Sequence, residues 1–474
     1  MGRERELALV RHALDRALAG DGRVILLSGE PGIGKTRTAE EFAPSARALG
    51  CQVLWSACDE WDGAPAYWPW VQVFRSIVRG HDPATLQRLL GSGGSDVAQI
   101  VPELRTQHTP PTNQPAGSEE AARFRLFDSA TAFLIEVARA SPVVIVLDDL
   151  HWADTPSLLL LQFIARHLRD APLLILGTYR TGEVDRGHPL AEVLGELTRT
   201  PGNARIVLGG LNRGETRAVT TAVAGHELPA RIVDIVQHET EGNPFFVTEI
   251  ARFLVAEREM TPGPGRSSLH FHVPETVKDV IGRRLHRLPV ECQTLLSIAS
   301  VIGREFSLRL LAAVSEQSAE TVLEQLDDAL QARLIDTAAT LSTYRFHHAL
   351  VQDTIYDMLP PSQRTRLHWK VGQLLETLTA PGAAPPLDEL SYHFFQAAPL
   401  GDTDTALTYA IQAAERAMTL LAWENAVEHY ERALQVFDLT TEASALRKCD
   451  LLLALGDARI LAERSNWGSA ATRE

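Results

Sequence analysis

Eight consecutive residues, Gly29-Glu30-Pro31-Gly32-Ile33-Gly34-Lys35-Thr36, have the types and spacing of a phosphate-binding loop. The glycines let the main chain curl tightly enough for successive N–H groups to converge on an oxyanion. The helix that follows adds the positive end of its dipole. Lys35 would reach the β- and γ-phosphates of a nucleoside triphosphate, and the Thr36 hydroxyl would take a place on Mg²⁺. Arg37 continues the candidate nucleotide-binding set. A second group is Asp148-Asp149, which closes the apolar run Val143-Val144-Ile145-Val146-Leu147. Asp148 would hold Mg²⁺ through its water shell, and Asp149 would orient or partly deprotonate an attacking water. A third is Arg180, at the tip of Leu173-Leu174-Ile175-Leu176-Gly177-Thr178-Tyr179. A fixed guanidinium there would distinguish ATP from ADP by the γ-phosphate charge. An ordinary solvated strand-end arginine fits the same spacing, which favours neither.

These groups must be positioned by a sheet. Val24-Ile25-Leu26-Leu27 reads as a strand buried on both faces, and 35–49 as the helix after the loop. Strand, glycine-rich turn and helix are the setting the loop chemistry requires. Further strands are expected at 51–56, 143–148, 173–179 and 205–208, so that the acids and Arg180 stand at strand ends, where open α/β sheets bind ligands. Helices are expected at 3–19, 71–79, 119–139 and 157–168. Asp154 and Thr155 read best as the cap of the last of these, with Pro156 in its first turn. The aromatic cluster Tyr67-Trp68-Pro69-Trp70 reads best as a lid packed on the core. Residues 105–118 form a Pro-rich loop.

Beyond the sheet the pattern turns helical. Residues 211–258 read as helices broken by Gly242-Asn243-Pro244-Phe245-Phe246, and 261–268 as a linker. Helical periodicity over 275–288, 291–301, 307–314 and 318–332, then two short strands at 334–336 and 344–346, predicts a winged helix. Its basic helix (Lys278, Arg283, Arg284, Arg287) could face DNA, but a net charge of −15 disfavours attraction to a polyanion. After a second linker at 380–386, Trp423, Ala426, Tyr430, Ala433 and Leu434 fall at the spacings of a tetratricopeptide helix pair, and Leu451 onward begins another unit. Such repeats bury their faces only against neighbours. The pattern therefore predicts either a piece of a longer protein or a partner that completes the stack.

The 474 residues suggest about three domains, at roughly 150 residues each. The composition, 45% hydrophobic and 22% charged, is that of a globular chain with ample core. The charged N-terminus lacks a signal-peptide core, and no apolar run spans a bilayer. Four scattered cysteines form no metal-binding spacing. Together these predict a cytoplasmic protein without a membrane partner.

Taken together, Gly2-Arg3-Glu4, the phosphate loop, Leu147-Asp148-Asp149-Leu150-His151-Trp152-Ala153-Asp154, Gly177-Thr178-Tyr179-Arg180, Gly242-Asn243-Pro244-Phe245-Phe246 and Arg345-Phe346-His347-His348-Ala349-Leu350-Val351 resemble the signal-transduction (STAND) branch of the AAA+-like P-loop ATPases. Within it the chain looks like the bacterial ATPases of large LuxR-type regulators and those beside cyclase domains. The resemblance covers about residues 2–375. It implies an ASCE-type α/β P-loop NTPase with a parallel sheet in the order 5-1-4-3-2, followed by an all-α lid, a winged helix and a TPR-like helical region. The expected bounds are 1–209, 210–261, 269–360 and 361–474. It further implies that Arg3 lies near the adenine, that Pro244 of the lid packs over the nucleotide, and that His348 touches the ADP β-phosphate in a closed state. From spacing alone, His348 reads as an ordinary interface histidine.

The implied function is an ATP-dependent switch with Mg²⁺ as cofactor and weak hydrolysis as its reset, regulating transcription or a linked effector. Self-association on activation, an inducer received by the C-terminal helices, and contact with DNA only indirectly or through a further domain go with that reading. A working ATPase of replication-initiator or remodelling type, and a nucleotide-stabilised TPR scaffold, are the alternatives.

Overall fold

In the computed structural model of the chain, residues 2–58, 64–104, 118–185, 187–259, 277–338, 340–379, 384–400, 402–440 and 444–464 are described. The Pro-rich stretch (apart from Ser118), the linker at 261–268 and most of that at 380–386 lie outside them. Five apolar segments form strands: β1 (Arg23–Gly29), β2 (Gln52–Ala57), β3 (Val143–Asp148), β4 (Leu173–Arg180) and β5 (Ala204–Val207). They make one parallel sheet in the order β2-β3-β4-β1-β5, the implied order met from its other edge. β3 and β4 are buried at every residue, as unbroken apolar runs require when helices cover both faces. Their register pairs Val143 with Leu173 and Leu147 with Gly177, while β2 pairs Gln52 with Val143 and Ala57 with Asp148. At the edge, β5 is exposed except at Ile206.

The chain divides into two compact units. One, the sheet unit, comprises Ala8–Ser28, Ala39–Ile206 and Leu378–Glu474. After β2 it inserts helices Trp68–Arg79, Pro83–Leu90, Gly94–Ile100 and Glu119–Ala140. The first starts three residues earlier than the periodicity indicates, taking in the aromatic cluster; Tyr67 and Trp70 are fully buried. Trp70 Nε1 donates to Ser157 O at 3.0 Å and Tyr67 N donates to Asp154 Oδ2 at 2.8 Å. Asp154 also caps helix Thr155–His167, accepting from Ser157 N. The short helices Pro83–Leu90, Gly94–Ile100 and Pro189–Arg199 were not expected from the sequence. Helices Leu387–Ala397, Thr403–Thr419, Trp423–Phe437 and Ala445–Arg464 pack in succession, and small residues (Ala410, Ala413, Ala426, Ala433) bring their backbones close.

The other, the loop unit, comprises Met1–Leu7, Gly29–Thr38 and Val207–Thr377. Helices Arg213–Ala224, Ala230–Thr240 and Pro244–Glu259 enclose Val236, Val247, Ile250 and Phe253. The first opens on a capping box between Asn212 and Glu215. Four helices follow, over Val277–His286, Val290–Ile302, Leu308–Ser315 and Ala319–Gln331. They accompany an antiparallel sheet of β6 (Glu305–Ser307), β7 (Ile335–Thr337) and β8 (Thr343–Phe346), with β8 central. β6 was not expected from the sequence. Arg283 and Arg287 are exposed, yet both, like Arg284, have partners within the unit. Arg284 pairs with buried Glu249, and Arg283 and Arg287 lie 5.6 and 5.5 Å from the centroid of the Phe253 ring. Among the described residues no helix is long and apolar enough to cross a membrane.

Candidate nucleotide-binding site

The phosphate loop leaves β1 at Gly29 and enters a helix at Lys35. Gly32 and Gly34 hold positive φ, +77° and +96°, the conformation for which glycine suits the turn. The Lys35 ammonium folds back on the loop, donating to Gly29 O at 3.1 Å and Glu30 O at 2.8 Å. Ile33 is buried, Pro31 and Thr36 are half-buried, and Arg37 is exposed. A Cβ built on Gly34 would meet nothing within 4 Å, so the loop is open on that side. Main-chain N–H groups at a helix start, an ammonium and an adjacent hydroxyl form a donor set that fits a polyphosphate with Mg²⁺.

Arg3 sits at this loop. Its Nη2 donates to Ile33 O at 2.8 Å and to Gly209 O at 2.6 Å, so it ties the N-terminus and the segment after β5 to the loop backbone. Burial lowers its pKa from the ordinary guanidinium value, against the pull of Glu6 and Glu215.

The turn before helix Pro244–Glu259 is fastened to the same loop. Asn243 Nδ2 donates to Pro31 O at 2.8 Å, and Phe245 N donates to Gly32 O at 3.3 Å. Pro244, between them, begins helix Pro244–Glu259. The Phe245 ring stacks on His348 with centroids 4.3 Å apart and planes at 22°. His348 caps helix Ala349–Met358, its Nδ1 accepting from Leu350 N at 3.1 Å. In the neutral ring this places the proton on Nε2, making that atom a donor. The loop, Arg3, the 243–245 turn and His348 are thus brought together within one unit. Asn243 and Phe245, the residues that make the attachment, flank the proline to which the sequence reading gave the role. Their presence in the quoted motif was the available signal.

In the sheet unit Asp148 is the last residue of β3, and it and Asp149 are buried. The Thr178 hydroxyl donates to Asp148 Oδ1 at 2.6 Å and accepts from Asp149 N at 2.9 Å, so β4 fixes both acids. Asp149 adopts a left-handed conformation (φ +57°), which aspartate tolerates better than most residues. Arg180 ends β4, buried, with its guanidinium 4.4 Å from the Trp152 ring centroid and Nη1 donating to Glu183 Oε1 at 2.6 Å. It is therefore not the solvated strand-end arginine that spacing alone allowed. Thr178, Trp152 and Glu183 were not singled out in the sequence, although the first two lie in the quoted motifs.

The family model of the AAA ATPase domain matches residues 1–176. An uncharacterised protein of Rhizobium meliloti (strain 1021) is 24% identical over 487 residues, an alignment covering 95% of this chain and 44% of that protein. The STAND protein with a tetratricopeptide repeat sensor from Pyrococcus horikoshii is similar in structure, with a TM-score of 0.55 at 14% identity, over 100% of this chain and 65% of that one. Cdc6p from Pyrobaculum aerophilum aligns with a TM-score of 0.36 at 14% identity, over 76% of this chain and 95% of that one. The chain spans less than half of its curated relative and just under two thirds of its structural one. Its first 176 residues carry the AAA ATPase domain match, and the chain shares the fold of a STAND ATPase with a helical sensor.

Proposed function

We propose that this chain is an ATP-dependent signalling switch with slow hydrolysis, of the kind found in LuxR-type bacterial regulators and beside cyclase domains. Residues 29–36, with Arg37, would hold ATP or ADP through loop N–H groups and Lys35. Thr36 and Asp148 would hold Mg²⁺, whose charge offsets that of the phosphates. Asp149 would orient the attacking water, and Arg180 would favour the γ-phosphate. Arg3 would keep the loop in shape beside the adenine, while Pro244 and His348 would cover the nucleotide, His348 offering its Nε2 proton to a phosphate oxygen.

The observation that carries this reading is the fastening of the lid to two carbonyls of the phosphate loop, with Phe245 stacked on His348. A ligand shifts a two-state equilibrium only by its difference in affinity for the states, and a near-complete flip needs about 10⁴-fold. A loop that holds ADP and ATP alike cannot supply that difference. Groups outside the loop must, and His348 and Arg180 are suited to opposite nucleotides. Residues 269–360 would act as a winged helix that moves with His348. The C-terminal helices would receive the inducer, with self-association and a transcriptional or linked effector as output, in the cytoplasm.

The test is the nucleotide carried by the purified protein, released by denaturation and separated chromatographically, beside Lys35→Ala and His348→Ala. Near-stoichiometric ADP in the wild type, lost in both variants, is expected. An empty site with brisk turnover indifferent to His348 would overturn the switch and favour a working ATPase.

A further inference from the structure

The surroundings of Arg180 are more elaborate than a strand end needs. One face of the guanidinium lies 4.4 Å from the Trp152 ring centroid, and one edge donates to Glu183 Oε1 at 2.6 Å. The other Glu183 oxygen lies 3.3 Å from His151 Nε2, and the His151 ring packs on Trp152 with centroids 4.5 Å apart. His188 Nε2 holds His151 O at 2.9 Å. Two turns, Leu150–Trp152 after the acid pair and Thr181–Glu183 after β4, therefore bracket one cation, one with a ring and the other with a carboxylate.

The bracket is poorly explained as a stability device. The Glu183 side chain is 38% exposed, and ion pairs at such sites contribute little to folding. Its stronger effect is on the cation itself. Ring stacking fixes the plane in which the guanidinium presents its donors, and a carboxylate at one edge competes with any other anion for the same charge. We infer that Trp152 and Glu183 are positioning residues for Arg180. Trp152 sets the direction of its guanidinium, and Glu183 is a built-in rival anion that sets how strongly the site prefers a nucleotide with a γ-phosphate. The inference rests on the proposed role of Arg180 as the γ-phosphate sensor.

The experiment is equilibrium titration of the full chain, stripped of nucleotide, with Mg²⁺-ADP and with a Mg²⁺-loaded non-hydrolysable ATP analogue. The quantity read is the ratio of the two dissociation constants, with thermal melting as a check on folding. Arg180→Met lowers the preference for the triphosphate. Glu183→Gln raises it by about threefold, the size of a half-exposed ion pair, and loses that effect in the Arg180→Met background. Trp152→Ala lowers the preference towards that of Arg180→Met, and Trp152→Phe restores it. If Arg180→Met lowers the ratio while Glu183→Gln and Trp152→Ala leave it unchanged, the positioning roles fall and the sensor stands. If Arg180→Met itself has no effect, the sensor reading falls and takes this inference with it.

Discussion

A Cβ placed on Gly32 would sit 2.8 Å from Phe245 Cβ and 3.0 Å from Asn243 Oδ1, at a φ of +77°. One on Gly34 would meet nothing within 4 Å, at +96°. The two glycines therefore serve different partners, one the lid and the other the open side of the loop. Gly32→Ala is expected to cost about 2 kcal/mol through left-handed strain alone, and more through the clash. Hydrogen exchange should show lost protection across 243–250. Gly34→Ala should keep that protection and lose nucleotide affinity. If both variants exchange alike, the lid is not held by this contact. The loop itself was legible because a phosphate imposes its geometry on eight consecutive residues. The attachment of Asn243 to Pro31, 212 positions apart, was not. No local pattern reports a donor that reaches across such a distance.

At the scale of elements, helix Glu119–Ala140 meets helix Trp423–Phe437 at a buried arginine that pairs with Glu424 and stacks on Trp423. Arg123 is fully buried, 3.0 Å from Glu424 Oε1, with the Phe127 and Trp423 ring centroids 5.4 and 4.9 Å from its guanidinium. Tyr67, beside it, donates its hydroxyl to Leu421 O at 3.3 Å. Removing one partner of a buried pair leaves an uncompensated charge, whereas replacing both with apolar groups is often neutral. Arg123→Met should therefore destabilise the sheet unit by about 3 kcal/mol in denaturant melts, and Arg123→Met with Glu424→Met should recover most of it. Equal losses in the single and double variants would mean that the packing, not the charge, holds these helices.

Elements were legible in proportion to length and apolar content. β3 and β4 are unbroken runs, whereas helices Pro83–Leu90, Gly94–Ile100 and Pro189–Arg199 and strand β6 are short enough for tertiary packing to decide. Start signals were available for two of them: Asp82 caps Ala84 and Thr85 with Pro83 in the first turn, and Pro189 opens the helix that His188 caps. The basic helix shows the reverse difficulty. Its charges were visible in the sequence, but not that Glu249 and Phe253 use them.

For the whole molecule, the decisive feature is that the ten residues Gly29–Thr38 belong to a body otherwise built from Met1–Leu7 and Val207–Thr377. A ribosome thus makes the phosphate loop long before it makes the turn that fastens to it. At about 5–20 residues per second, the wait from Thr36 to Phe245 is roughly 10 to 40 s. Through that interval Lys35 and Arg37 offer a trypsin site without the lid's hydrogen bonds. Arrested nascent chains ending at residue 206 should be cut there, and chains extended past residue 378 should resist. Equal cutting of both would mean that the loop takes its shape unaided. If the difference holds, the loop acquires its protected shape only late in the life of the polypeptide, and an unfinished chain carries it open to solvent.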